Sequence, residues 1–221
     1  MFPRSALYCV CLAIASVQPC AAAQNDWLAE PAVQVRLAAG EVVVQTATAT
    51  DRARPQGWVW AAVLIRAPAE RIWSVITDCS QTVAFVPGLR RCRSVARAPD
   101  GGWEDIEQEV RYSWFLPSIR YVFRAEYHRP DRIDFHRISG DLKEEQGTWL
   151  LMQAPDAATT TVQYEMYLDP GFWVPQALVA RSLRRDLPMA LTGLKERVES
   201  SAADIGRGAP PPAEIYKKIG Q

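Results

Sequence analysis

The chain has 221 residues, with 25 basic and 25 acidic side chains, and 48% of it is hydrophobic. That balance suits a folded domain with a sizeable core, and it excludes the basic face that a nucleic-acid binder turns to phosphates. Eight tryptophans form a heavy aromatic load that either fills a core or lines a cavity.

Residues 1–23 read as an export signal. Arg4 supplies a positive start, and Ser5 to Val17 is an apolar run of 13 residues, short of the roughly 20 that span a bilayer. Ala21, Ala22 and Ala23 offer a small-residue cleavage site, so the mature chain is expected to begin near Gln24. An uncleaved N-terminal anchor is the alternative reading of the same run. Export means the periplasm if the source is bacterial. Cleavage removes one charge and leaves 24 basic against 25 acidic residues, with all eight tryptophans retained. Cys9, Cys11 and Cys20 leave with the signal. The remaining pair, Cys79 and Cys92, is expected to form a disulfide in an oxidising compartment, worth about 3 kcal/mol by loop closure. Their spacing is not the CxxC of redox thiols.

Residues 24–56 read as a polar, proline-interrupted lead with an extra strand. Gly40 to Thr50 pairs as a first hairpin arm with Gly57 to Arg66, since both are rich in β-branched residues around a turn-rich break. A ligand-binding domain is expected over 57–200. Pro68 opens a helix through Asp78, and Ser80 is the expected cap of a second, which Pro87 and Gly88 end. Strands follow at Leu89 to Ala98, Trp103 to Ser113, Ile119 to Arg129, Arg132 to Ser139, Asp141 to Gln153 and Thr159 to Asp169. Turns fall at Gly101-Gly102, Pro130-Asp131 and Pro155-Asp156. From Trp173 to Val198 the period becomes helical, with Leu178, Leu183, Leu187, Leu191, Leu194 and Val198 on one stripe and Pro188 predicting a kink. Residues 201–221 read as a flexible tail. This order is α+β. A curved antiparallel sheet wrapped around a long C-terminal helix, a helix-grip shape, buries its concave face and leaves an apolar cavity where side chains do not fill the space.

Period-two parity sorts the faces. One face carries Ile106, Gln108, Val110, Tyr112 and Trp114, then Ile119, Tyr121, Phe123, Ala125 and Tyr127. Val162, Tyr164, Met166 and Leu168 continue it, as do Ile133, Phe135, Trp149 and Leu151. The opposite face carries the charges and both histidines, His128 and His136. By this parity no Asp, Glu, Lys, His or Cys of the three strands around 103, 119 and 160 points inward. No catalytic residue, metal ligand or cofactor site is assigned on that ground, and GxSxG, HExxH and phosphate-cradling glycine loops are absent. Tyr112, Tyr121, Tyr127 and Tyr164 would each need a hydroxyl partner in a dry core, which favours a cavity holding water or a ligand head group. Three apolar turns marked by proline, at Phe85 to Gly88, Trp114 to Pro117 and Gly171 to Pro175, gather at one end as a cavity mouth. Exposed aromatics there would suit transient contact with a membrane surface. Loops tucked onto the domain are the other reading.

The join from Val63 to Trp73, Thr77-Asp78, Phe85 to Gly88, Gly140 to Leu142 with Gly147 to Trp149, and Asp169 to Pro175 running into Leu183 to Pro188 together carry a family resemblance. Over Trp58 to Glu199 the chain resembles the START-like polyketide cyclase/dehydrase and lipid-transport superfamily (SRPBCC), and within it the coenzyme Q-binding branch. The export signal and the cysteine pair depart from that branch. The resemblance implies a helix-grip fold, a tunnel for a hydrophobic ligand and no universal catalytic motif.

Three functions follow as expectations. The first is an exported binder or carrier of a lipid, sterol or quinone-like molecule, without catalysis or cofactor. Its ligand contacts would be Gln108, Tyr112, Trp114, Tyr121, Phe123, Phe135, Trp149, Tyr164, Met166 and Trp173. Phe85, Pro87, Phe115, Leu116 and Phe172 would sit at the mouth. The second is a cyclase or dehydratase acting on a polyketide-like substrate, which an inward titratable side chain would favour. The third is a stress or assembly module without a small ligand. No protein partner is assigned.

Overall fold

In the computed structural model, which describes residues 26–46, 57–111, 118–170 and 176–206, eight strands form one antiparallel sheet in the order β1-β2-β8-β7-β6-β5-β4-β3. The strands are β1 (Val43–Thr46), β2 (Trp58–Ile65), β3 (Leu89–Arg97), β4 (Trp103–Val110), β5 (Ile119–His128), β6 (Arg132–Gly140), β7 (Glu144–Gln153) and β8 (Thr160–Asp169). β3 to β8 meander, and β8 returns beside β2, with Trp58 opposite Tyr167 and Ile65 opposite Thr160. The first hairpin arm is present, with Val43 opposite Ala62. Register shifts between Leu89 and Arg91, Ser94 and Ala96, and Val122 and Phe123 mark bulges, which bend a strand and help the sheet curl.

Among the described residues four helices accompany the sheet: α1 (Pro31–Ala38), α2 (Ala69–Ile76), α3 (Cys79–Phe85) and α4 (Gln176–Gly206). α2 has Pro68 at its cap, where the missing N–H costs nothing. The cap of α3 is Asp78 and not Ser80. The Asp78 carboxylate accepts from the Ser80 backbone N–H at 2.8 Å and from its hydroxyl at 2.6 Å. Two residues earlier, a charged acceptor outcompetes a neutral hydroxyl for the first free N–H groups. A disulfide joins Cys79 to Cys92 and ties α3 to β3. α4 is 31 residues long, with Pro188 inside it, and continues to Gly206 beyond the Val198 limit of the apolar stripe. No helix among the described residues is long and apolar enough to cross a membrane.

The core lies between α4 and the concave face. Leu191, Leu194 and Val198 of α4 are fully buried with Ala61, Val63 and Ile65 of β2, and with Ile72 and Trp73 of α2. Each buried Leu, Ile or Val among them contributes about 1.5–3 kcal/mol. Gly193 lets α4 cross α3 closely, because a Cβ there would lie 2.8 Å from the Phe85 Cβ. Lys195 Nζ donates to the Gly40 carbonyl at 3.2 Å, and the Arg66 N–H donates to Glu199 at 2.9 Å, pinning the same helix to the β1–β2 side.

The polar lead holds a second core. A 3-10 turn at Asp26–Ala29 and α1 bury Trp27, Leu28, Val33 and Leu37 against Val43, Trp60 and Ala62 on the convex face. β2 is thereby buried on both sides, which explains its near-continuous apolar run.

Candidate functional site

The concave face carries an aromatic ribbon. Ring centroids follow one another from Tyr121 to Phe123 (6.2 Å), Phe135 (6.1 Å), Tyr164 (5.8 Å) and Trp149 (4.4 Å). Cross-strand pairing places them on one face, with Trp149 opposite Tyr164 and Phe135 opposite Gly147. Gly147 makes this possible, since a Cβ there would lie 2.5 Å from the Phe135 ring. Tyr121, Phe135, Tyr164 and Met166 are buried. Gln108, Phe123 and Trp149 remain partly exposed although they stand on the inner face. Phe85 packs on Gly193 of α4, and Pro87 is half-buried in the turn before β3. Tyr112, Trp114, Phe115, Leu116, Phe172 and Trp173 lie outside the described residues.

The described inner tyrosines find partners within the protein. Tyr121 donates to Gln108 Oε1 at 2.8 Å, Tyr127 to Glu104 Oε2 at 3.0 Å, and Tyr164 to the Met166 sulfur at 3.0 Å. These hydroxyls therefore do not require water or a ligand. Burial, and after it the Glu104 carboxylate, holds the Tyr127 phenol protonated far above its ordinary range.

The expectation that no carboxylate of β4 points inward is corrected here. Glu104 shares the parity of Ile106 and Gln108, and it lies inside, half-buried, bound by Tyr127 and 3.6 Å from Arg97. The even-numbered face of β4 begins at Glu104, one step before Ile106, where a charge at a strand end reads as solvent-facing. The same extension reveals two more groups. Arg137 follows Ile133 and Phe135, and it pairs across the sheet with Phe123. Its Nη2 donates to the Gly140 carbonyl at 2.9 Å, while its Nε is buried without a partner.

Glu145 precedes Gly147, Trp149 and Leu151 at period two and stands opposite Leu168 of the inner set. It is only 7% exposed, and its Oε2 has no hydrogen-bond partner. Burial alone pushes its carboxyl up to about 8, with no contribution from a neighbouring cation. At neutral pH it is predominantly the uncharged acid. Glu145 sits at the end of the sheet where Leu89, Val110 and Ile119 also stand in register, and where the chain leaves β8 at Asp169. The apolar cluster of Leu89, Val110, Tyr121 and Leu142, with Leu168 packed on it, occupies this end. α2 closes the other end, with Trp73 edge-on to Tyr127 at 5.7 Å.

The outer face is charged. Arg93 pairs with Glu107 and Arg124 with Asp105, each through two hydrogen bonds, and Arg120 reaches Glu109. His128 and His136 are on this side, exposed, beside Asp134 and Glu126. An open cleft of about 460 Å³ beside Trp103, Glu126 and His128 lies at the sheet end away from Glu145. Among the described residues there is no group of three or more side chains that would hold a metal ion.

Residues 65–195 match the family model described as polyketide cyclase/dehydrase and lipid transport. Solved structures repeat the fold. Human STARD10 is 14% identical, with a TM-score of 0.61 over 75% of this chain and 72% of its own. A STAR-related lipid transfer protein from Xanthomonas axonopodis is 16% identical, with a TM-score of 0.59 over 72% of this chain and 92% of its own. The Zhui aromatase/cyclase from Streptomyces sp. R1128 is 14% identical, with a TM-score of 0.59 over 67% of this chain and 97% of its own. No curated protein sequence matches.

Proposed function

Since the chain belongs to the polyketide cyclase/dehydrase and lipid transport family, we propose that it binds and carries a hydrophobic or amphipathic small molecule on its concave face, without changing it. The observation that carries this reading is the partly exposed state of Phe123 and Trp149 on a face that a solid core would have closed. A lipid, sterol or quinone-like molecule suits such a surface, because aromatic rings offer wide apolar contact without demanding polar partners. The ligand would contact Gln108, Phe123, Phe135, Trp149 and Tyr164, with the turn at Phe85 and Pro87 near its entry. The proposal includes export of the chain: the N-terminal apolar run and the Cys79–Cys92 bridge support it together.

Native mass spectrometry with organic extraction, on protein purified from its own host compartment, tests the reading. A stoichiometric co-purified lipid, sterol or quinone is the expected result. A clean apo mass, with no uptake of lipids offered afterwards, would overturn it. The cyclase or dehydratase reading draws on one observation of its own, the inward carboxyl of Glu145. Turnover of a polyketide-like substrate that disappears in Glu145→Gln, with binding retained, would move the assignment to that reading.

A further inference from the structure

Among the described residues, Glu145 is the carboxyl that is buried with an oxygen left without a partner. A carboxyl withdrawn from water is ordinarily paired with a cation, a donor or a metal, because leaving it unsatisfied costs about 1–3 kcal/mol or more. Its Oε2 has no partner. Arg137, the nearest inward cation in sequence register, turns its guanidinium to the Gly140 carbonyl. The surroundings are Leu168 across the strand pair and Gly147 two residues on, where the absent side chain leaves Phe135 in its place. The result is an acid on an apolar aromatic face, at the end of the grip that α2 does not close.

We propose that Glu145 is the polar anchor of the ligand site, a neutral carboxylic acid that donates its O–H to the carbonyl, ester or hydroxyl oxygen of an otherwise apolar ligand. The inference rests on the concave-face binding reading and adds the ligand's chemical class. An uncharged oxygen acceptor fits where an anion does not, since among the described residues no cation is paired with Glu145 and Arg137, one step beyond the His136–Gln146 register, is turned to the Gly140 carbonyl. The high proton affinity that burial gives this group keeps the donor in place at neutral pH. A cationic amine is the competing occupant. It would need Glu145 ionised, and two charges would then be withdrawn from water together.

The test displaces phenylnaphthylamine from the full chain with undecane, methyl decanoate and undecylamine, and compares wild type with Glu145→Gln and Glu145→Leu. Glutamine keeps an N–H donor, and leucine removes it. The ratio of ester to undecane affinity, in which the probes' own hydration cancels between variants, is expected to be equal in wild type and Glu145→Gln. It should fall roughly tenfold in Glu145→Leu. An unchanged ratio in Glu145→Leu sinks the anchor while leaving the concave-face site standing. Amine preference in wild type that vanishes in Glu145→Gln also sinks it. Failure of every probe to bind any variant overturns the binding reading, and the anchor with it. Infrared spectroscopy gives a ligand-free check. The carboxylic-acid carbonyl band expected at neutral pH must be lost in Glu145→Gln, and its presence there unchanged would refute a neutral Glu145.

Discussion

Two glutamates face the inside of this sheet from opposite ends, and the structure treats them differently. Glu104 sits near the end that α2 closes. It accepts from the Tyr127 hydroxyl and lies 3.6 Å from Arg97, while Tyr127 in turn packs on Trp73. Nearby polar groups are matched as well: Thr160 donates to the Ala67 carbonyl, and Gln153 accepts from the Ala69 N–H. Glu145 stands at the far end, more deeply buried and without a partner for Oε2. The satisfied glutamate belongs to the architecture. A buried group left unsatisfied points to something that arrives later.

The sharpest way to break this contrast is pH. In the folded chain the Glu145 carboxyl is raised from its ordinary 4.5 to about 8. The folded state therefore keeps a proton that the unfolded chain releases above about 4.5. Its contribution to stability is fully present below that value, is lost as pH climbs to about 8, and changes no further beyond. The total loss is on the order of 5 kcal/mol as a ceiling. Urea unfolding at several pH values should show stability falling across that window in wild type and a flatter profile in Glu145→Gln. Identical profiles would place Glu145 among ordinary, satisfied side chains.

The closed end is probed by packing. Trp73 is 1% exposed and meets Tyr127 edge-on, with the Arg129 guanidinium 5.1 Å from its ring. Trp73→Ala is expected to cost about 3–5 kcal/mol, read as a lower denaturation midpoint, with ligand affinity of the folded fraction preserved. A loss of binding larger than the loss of stability would mean that the two ends are not separable. Reduction of the Cys79–Cys92 bridge should cost somewhat less, about 3 kcal/mol, because it frees α3 from β3 without opening a cavity. Comparing oxidised and Cys92→Ala protein in the same titration measures it.

The sequence made the sheet legible because its signals are local. Alternation from Trp103 to Val110 and from Ile119 to Tyr127, with Gly101-Gly102 between strands, fixes strands and faces together. The N-terminal cover was not legible: α1 has only Val33 and Leu37 in register, and their burial depends on Trp60 and Ala62, which read as part of an ordinary strand. The cap of α3 went to Asp78 because Asp78 and Ser80 both satisfy the same rule, and only geometry ranks them. For the site, the aromatic set was readable from parity, whereas the tyrosine partnerships were not. Which oxygen meets Gln108 or Glu104 depends on register between strands. Glu145 was within reach of the same parity but reads as a charge in a charged stretch, Lys143 to Gln146. That it is buried alone comes from tertiary packing.

The smallest effect is expected on the convex face of β3, β4 and β5. There Arg93–Glu107 and Arg124–Asp105 make two-point pairs, and Arg124 also lies 3.9 Å above the Trp103 ring. The arginines of these pairs reach solvent while Glu107 and Asp105 are mostly covered, so the attraction is partly screened and the side chains give up freedom to hold their geometry. Glu107→Gln should leave the denaturation midpoint within its scatter. Arg124→Gln should lower it slightly more, since it also uncovers Trp103, and that residual should survive high salt because a cation held against a ring acts at contact range, which ions do not enter. A salt-sensitive drop in Glu107→Gln comparable to that of Trp73→Ala would show that the outer charges, and not the closed end of the grip, hold the curved sheet in shape.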